Sequence, residues 1–209
     1  MPWLNSEVSD GASILEAVQQ SGANCLLGLS TIPGIFNEDV VKAALANHPA
    51  PIVMPMSNPT SKSECTPAQA YEWTDGAAVV ATGSPFPPHT LPSGKVVTPS
   101  QCNNMYVFPG LGLAASVGGV STITDRMLYL AAVACSETMT EAEISEGRTF
   151  PNLDRIRDVS HAVACAVVEE ALAEGLCSKI KGGLTADEIS ELVSSKMYYP
   201  QYTPLVQQS

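Results

Sequence analysis

Pro51-Ile52-Val53-Met54-Pro55-Met56-Ser57-Asn58-Pro59-Thr60-Ser61 runs from an apolar segment into a polar, proline-held loop. The apolar part, Ile52 to Met56, has the length of a buried strand, and its carboxyl end opens onto Ser57 and Asn58. Working upstream, Cys25-Leu26-Leu27-Gly28-Leu29 is a second such run, entered from the turn Ser21-Gly22-Ala23-Asn24. Between the two a helix starts at Asn37, whose side chain can cap free N–H groups while Glu38 and Asp39 complement the dipole; it ends near Ala46-Asn47. Before them, Ser13 to Gln20 reads as a short helix with Ile14, Leu15 and Val18 on one side. Downstream, Thr66-Pro67-Ala68-Gln69 has the form of a capping box with proline in the first turn, and Ala77 to Thr82 reads as a third strand. Buried strands separated by helices pair in parallel, so this half predicts an α/β sheet with helical layers. Three strands are few for such a sheet.

Beyond Gly83 the pattern changes. Ser84-Pro85-Phe86-Pro87-Pro88 through Pro92-Ser93-Gly94 reads as a turn-rich loop. After Tyr106 the sequence is helical in pattern. Gly112 to Val120 is small and apolar, and Thr124 to Thr138 carries Met127, Leu128, Leu130, Ala131 and Ala134 at helical spacing. Thr140-Glu141-Ala142-Glu143 and Thr185-Ala186-Asp187-Glu188 are further capping boxes, and Ile156 to Leu176 is a long amphipathic helix closed by Gly175. The expected organisation is therefore residues 1–105 as part of a parallel α/β domain and residues 106–209 as a helical C-terminal region.

The bulk numbers exclude several classes. With 209 residues, 45% hydrophobic and 15% charged, the chain can bury an ordinary core and is no disordered tail. A net charge of −11 without a basic cluster disfavours nucleic acid and anionic membrane as partners. No apolar run approaches the length of a membrane span. Met1-Pro2-Trp3-Leu4-Asn5 lacks the basic and apolar stretches of a signal peptide. The six cysteines form no C-x-x-C pair and read as small buried hydrophobes of a reducing compartment; neither they nor the three histidines show metal-ligand spacing.

Ligands of an open parallel sheet bind beyond the carboxyl ends of its strands. There the sequence places Gly28-Leu29-Ser30-Thr31-Ile32-Pro33-Gly34, then Ser57-Asn58-Pro59, then Gly83-Ser84. Gly28 and Gly34 can admit a ligand to the backbone or can simply make a tight turn. Asn58 donates and accepts at once, which suits a hydroxyl, a carboxylate or a carboxamide, and suits an Asx-turn equally. The paired amides Asn103-Asn104 can hold a dicarboxylate and a nicotinamide together, or cap a helix. No complete G-x-G-x-x-G is present; Gly110-Leu111-Gly112 reads as a packing turn into a helix. Ser/His, Cys/His and multi-histidine arrangements are absent from the sequence pattern, Asp75, Asp125 and Asp154 stand isolated, and Lys62 reads as a solvated surface residue.

Taken together, these motifs resemble the malic enzyme family. The resemblance rests on residues 51–61, on Glu64-Cys65-Thr66-Pro67, Trp73-Thr74-Asp75-Gly76 and Ala81-Thr82-Gly83-Ser84-Pro85-Phe86, and on Gln101-Cys102-Asn103-Asn104-Met105-Tyr106-Val107-Phe108-Pro109-Gly110-Leu111-Gly112. Thr124-Asp125-Arg126-Met127-Leu128 and the closing Tyr198-Tyr199-Pro200-Gln201-Tyr202 extend it over nearly the whole chain. It implies the second half of a Rossmann-like NAD(P)-binding domain followed by the helical tail, belonging to an enzyme that converts malate to pyruvate and carbon dioxide with NAD or NADP and Mg or Mn. Asn58, Asn103 and Asn104 would then contact substrate. Gly28, Leu29, Ser30 and Ser57, with Asn58 and Asn104, would line the dinucleotide pocket. The family's acid tyrosine, base lysine, substrate-binding arginine, metal carboxylates and pyrophosphate loop match nothing here, so the metal ligands are expected outside this chain and the chain alone is expected to be inactive. One departure is Ser30-Thr31-Ile32-Pro33-Gly34, where many members carry a glycine-rich turn; it leaves the choice between NAD and NADP open. The parent is expected to be a homo-oligomer of the cytoplasm or of an organelle such as a mitochondrion or plastid. Two alternatives stand beside this reading: a piece of a malolactic enzyme, which releases lactate, and an inactive oligomerisation or binding module using residues 112–120.

Overall fold

The structure, a computed structural model, describes residues 8–199. Met1 to Asn5, and Pro200 to Tyr202 of the closing motif, lie outside the described residues. In chain order the elements are α1 (Ile14–Ser21), β1 (Cys25–Gly28), α2 (Glu38–Asn47), β2 (Ile52–Pro55), α3 (Pro67–Trp73), β3 (Val79–Thr82), β4 (His89–Thr90), β5 (Val96–Val97) and β6 (Ser100–Gln101). They continue with α4 (Phe108–Gly118), α5 (Asp125–Glu137), α6 (Glu141–Ser145), α7 (Ile156–Ala173) and α8 (Ala186–Lys196). Two compact units result. Of the described residues, the first holds 8–104 and 139–152, the second 105–138 and 153–199. The segment carrying α6 thus belongs with the sheet, although it follows the residue-105 division that the sequence suggests.

In the first unit the sheet has the order β1-β2-β3-β6, parallel throughout. Cys25 to Gly28 pairs in register with Ile52 to Pro55, and Ile52 and Val53 with Val79 and Val80. The three expected strands are there. The fourth, β6, pairs Ser100 and Gln101 with Ala81 and Thr82 and lengthens the sheet beyond expectation. The segment read as a turn-rich loop also folds a two-stranded antiparallel ribbon from β4 and β5. Helix starts follow the local chemistry: Ser13 and Thr66 form capping boxes with Glu16 and Gln69, and Asn37 caps the Val40 N–H at 3.1 Å.

Val18, Leu26, Phe36, Val40, Val41, Ala44, Val53, Ala70 and Val80 bury one face of this sheet. The other face is open at β1 and β2: Leu27 is 57% exposed and Ile52 39%. A parallel sheet is ordinarily covered on both faces, so these two strands lack a layer that their apolar composition calls for.

The second unit is built around α7. Val159, Val163, Ala164, Val167, Val168 and Ala171 are fully buried along it, with α4, α5 and α8 packed against it. Thr124 caps α5, and Thr185 forms a capping box with Glu188 at the start of α8. Gly175, with φ of 70°, closes α7. Of the residues expected on the inner face of α5, Met127, Ala131 and Ala134 are buried while Leu128 is exposed. Gly110 lies inside α4 and not in a turn before it, because Pro109 occupies a first-turn position where its missing N–H costs nothing. Among the described residues no helix is long and apolar enough to cross a membrane.

Candidate functional site

The carboxyl ends of β1, β2, β3 and β6 all point to one edge of the first unit because the strands are parallel. The loop after β1 carries Leu29, 74% exposed, and Ile32, 54% exposed, and turns through Thr31 and Gly34 at φ of 58° and 73°. A side chain at Gly34 would meet nothing within 4 Å, so the backbone of this turn is accessible. Phe36 anchors the loop's far end, buried, with its N–H bonded to the Glu64 carbonyl at 3.2 Å.

Under this loop lies a carboxylate that the sequence reading did not single out. Glu64 is fully buried. Its Oε1 accepts from the Ser30 N–H at 2.9 Å, the Ser30 hydroxyl at 3.0 Å and the Ser57 hydroxyl at 2.5 Å, and its Oε2 accepts from the Ser57 N–H at 3.3 Å. Burial pushes the Glu64 carboxyl up, but the hydrogen bonds from Ser57, its own N–H and Ser30 together outweigh it and hold the group below its ordinary value. Gly28 is glycine for the same reason: a Cβ there would sit 2.6 Å from the Glu64 Cδ and Oε2. The Ser57 Oγ also accepts the Thr31 N–H at 2.9 Å, and the Ser30 Oγ accepts the Ile32 N–H at 3.1 Å. Both hydroxyls are therefore committed inside the protein.

The amides meet at the next strand end. Gly83, buried just after β3, is where Asn58 and Asn103 converge. The Asn58 Nδ2 lies 3.0 Å from the position a Gly83 Cβ would take, and the Asn103 Nδ2 donates a long bond of 3.4 Å to the Gly83 carbonyl. Gln101 Nε2 donates to the same carbonyl at 3.3 Å, and the Ser84 hydroxyl donates to the Asn58 Oδ1. Asn58 is exposed and precedes a cis Pro59. Asn104 is exposed and opens a single 3₁₀ turn, Asn104–Tyr106. Lys62 is exposed, as its polar surroundings suggest.

A separate cavity of about 240 Å³ lies at the amino end of β3, lined by Tyr71, Gly76, Val79, Lys95, Val97 and Glu146 and by none of the candidate site residues. Among the described residues no three His, Cys, Asp or Glu side chains are placed to hold a metal ion. In the second unit, His161 and Cys165 stack one turn apart on α7 with Sγ 3.8 Å from Nε2, and the Ser194 hydroxyl lies 3.0 Å from the same nitrogen. The spacing of His161 and Cys165 within one helix could have been read from the sequence. The Cys165 thiol is pushed up to about 11 by burial and by the charge of Glu169, which argues against a thiolate nucleophile.

The cysteines fall into three groups, of which Cys102, Cys165 and Cys177 are only partly buried. Cys65 and Cys135 are the buried small hydrophobes expected, whereas Cys25 is exposed on the open face of β1. Burial, with a contribution from Glu64, pushes the Cys65 thiol up to about 12. At pH 8 only about one Cys65 in 10⁴ is then thiolate. Iodoacetamide at that pH is expected to alkylate Cys25 to completion while Cys65 stays intact in the peptide mass map; equal rates would mean that the region around Cys65 opens readily.

Parallel strands with glycine turns and amide side chains at their carboxyl ends form the α/β arrangement in which ligands bind beyond the strand ends. A family model described as the NAD-binding domain of malic enzyme matches residues 4–172, and the chain belongs to the malic enzyme family. It is 41% identical to the NADP-dependent malic enzyme of Dictyostelium discoideum over 190 residues, 91% of this chain and 34% of that protein. It is 36% identical to the mitochondrial NAD-dependent malic enzyme 2 of Arabidopsis thaliana over 209 residues, 96% of this chain and 34% of that one. The crystal structure of Entamoeba histolytica malic enzyme superposes with a TM-score of 0.68 at 25% identity, covering 88% of this chain and 33% of the other. The chain therefore spans about a third of the length of these relatives.

Proposed function

We propose that this chain forms the second half of the NAD(P)-binding domain, with the helical tail, of an enzyme that oxidises and decarboxylates malate to pyruvate and carbon dioxide. The observation that carries the reading is the meeting of Asn58 and Asn103 at Gly83 on the carboxyl edge of the sheet. Amides there can orient the substrate hydroxyl and a carboxylate so that hydride leaves C2 toward a bound dinucleotide. Asn58, Asn103 and Asn104 are assigned to substrate, and Gly28, Leu29, Asn58 and Asn104 to the cofactor. Ser30 and Ser57 have both their hydroxyls and their N–H groups held by Glu64, so they serve the pocket by fixing the shape of the two loops.

The dinucleotide, when bound, supplies the hydride acceptor. The accessible backbone of residues 29–34 suits its neutral end, because the Glu64 charge beneath that loop opposes a phosphate there. No step can be assigned to a metal on the described residues, and its ligands are assigned to the rest of the longer protein. The open face of β1 and β2 is the surface such a protein would cover: each leucine-sized side chain buried there contributes about 1.5–3 kcal/mol.

The test is a chimera in which this chain replaces the matching third of the Dictyostelium relative. The chain alone is expected to reduce neither NAD nor NADP with malate and Mn, while the chimera turns over. Asn103→Ala in the chimera is expected to lower kcat/KM about 10- to 100-fold, as losing a hydrogen bond to a charged group does. Turnover by the 209-residue chain itself would defeat the reading, because acid, base and metal ligands would then have to lie within it.

A further inference from the structure

We propose that Glu64 is a positioning residue: its carboxylate ties the loop after β1 to the loop after β2 and so fixes the backbone that faces the dinucleotide. The inference rests on the dinucleotide reading of those loops. Glu64 itself touches no exposed surface, being fully buried, and acts only through Ser30 and Ser57.

The four contacts divide evenly between the loops. Ser30 gives an N–H and a hydroxyl from one side, and Ser57 gives the same pair from the other. The tie then passes on through Ser57, whose oxygen holds the N–H of Thr31, a residue kept at φ of 58° where only glycine is comfortable. A second step runs through Ser30 to the Ile32 N–H. The donors around the carboxylate are hydroxyls and amides, none of them a cation. A buried charge persists without a counter-ion only when its donors are preorganised, so the two loops and the carboxylate fix one another. Gly28 completes the arrangement by leaving the space the carboxylate fills.

A glutamine cannot reproduce this shell. Its single oxygen can replace Oε1, but its amide nitrogen would then face the Ser57 N–H, donor against donor. Glu64→Gln therefore keeps the volume but removes the charge that three donors share on Oε1 and turns the Ser57 N–H contact repulsive, which loosens the tie. Gly28→Ala attacks the same contact from the other side, since its Cβ would lie 2.6 Å from the carboxylate carbon.

The experiment reads amide hydrogen exchange residue by residue in the full chain at pH 7, and follows NADH binding by fluorescence in the chimera with the Dictyostelium relative. In both variants the Ser30, Thr31 and Ser57 amides are expected to exchange at least tenfold faster. The Ile52 and Val79 amides, bonded to Asn24 and Pro51 at the far ends of the strands, are expected to stay as they were. NADH affinity is expected to fall about tenfold or more. Unchanged exchange at the three amides, or acceleration spread equally to Ile52 and Val79, overturns the proposal. So does faster loop exchange with NADH affinity equal to that of the unaltered chimera. If the unaltered chimera binds no NADH while the three amides still respond, the tie stands and the dinucleotide reading is what fails.

Discussion

Gly83→Ala is expected to lower the stability of the chain by about 3 kcal/mol and, in the chimera, NADH affinity more than tenfold. The added Cβ would lie 2.2 Å from the Met56 carbonyl oxygen, 2.9 Å from its carbon and 3.0 Å from the Asn58 Nδ2. Two of those three atoms are backbone, so no rotamer change relieves the overlap; the ends of β2 and β3 have to separate. Separation strains the Gly83 N–H bond to Pro55 at 3.3 Å and carries the Gly83 carbonyl away from Gln101 and Asn103. The amides assigned to substrate are thus displaced together with the strand ends. Urea unfolding would show a lower midpoint at unchanged slope, and fluorescence titration would show the weakened binding. A Gly83→Ala chain with the original midpoint would mean that the strand ends yield easily, and the close approach at Gly83 would lose its role in fixing the site.

The elements that were legible in the sequence are those whose cause is local. Ser13, Asn37, Thr66, Thr124, Thr140 and Thr185 each cap a helix through a neighbour three residues on, and all six helix starts fall where that chemistry puts them. The strands at Cys25, Ile52 and Val79 announce themselves by continuous apolar runs. β6 does not, because it is two residues long and exists only through its pairing with Ala81 and Thr82. No periodicity can develop over two residues. The ribbon of β4 and β5 hides for the same reason among Pro85, Pro87 and Pro92.

The site divides along the same line. That Ser57 and Asn58 stand at a strand's carboxyl end follows from the apolar run before them. The meeting of Asn58 with Gly83, and of Gly83 with Asn103, depends on which strands become neighbours, which a single sequence leaves open. Glu64 is the sharper case. In Ser63-Glu64-Cys65-Thr66 it has the look of a solvated loop residue, yet it folds beneath Ser30, 34 positions away. The one local trace of that contact is Gly28, a glycine in a strand where nothing nearby requires one.

Gly110→Ala and Gly112→Ala, two residues apart on α4, are expected to change stability in opposite directions. In an exposed helix interior either substitution gains about 1 kcal/mol from the lower backbone entropy of alanine in the unfolded chain. Gly112 meets nothing within 4 Å, so Gly112→Ala keeps that gain. At Gly110 the new Cβ would lie 2.6 Å from the Cβ and Cγ1 of Val163 and 2.8 Å from the Ser160 carbonyl oxygen. Val163 is fully buried on α7 and cannot swing its own Cβ aside, so α4 and α7 must move apart. Separation loosens the contact along Ala114 and Val117 as well, at a packing cost of about 3 kcal/mol that leaves a net loss near 2 kcal/mol. Urea midpoints measured side by side would show a rise for Gly112→Ala and a fall for Gly110→Ala. Adding Val163→Ala to Gly110→Ala removes Cγ1 but not the Cβ, so it restores little. A Gly110→Ala chain as stable as Gly112→Ala would mean that α4 does not rest on α7 at Gly110, and the second unit would need a different helix pair at its centre.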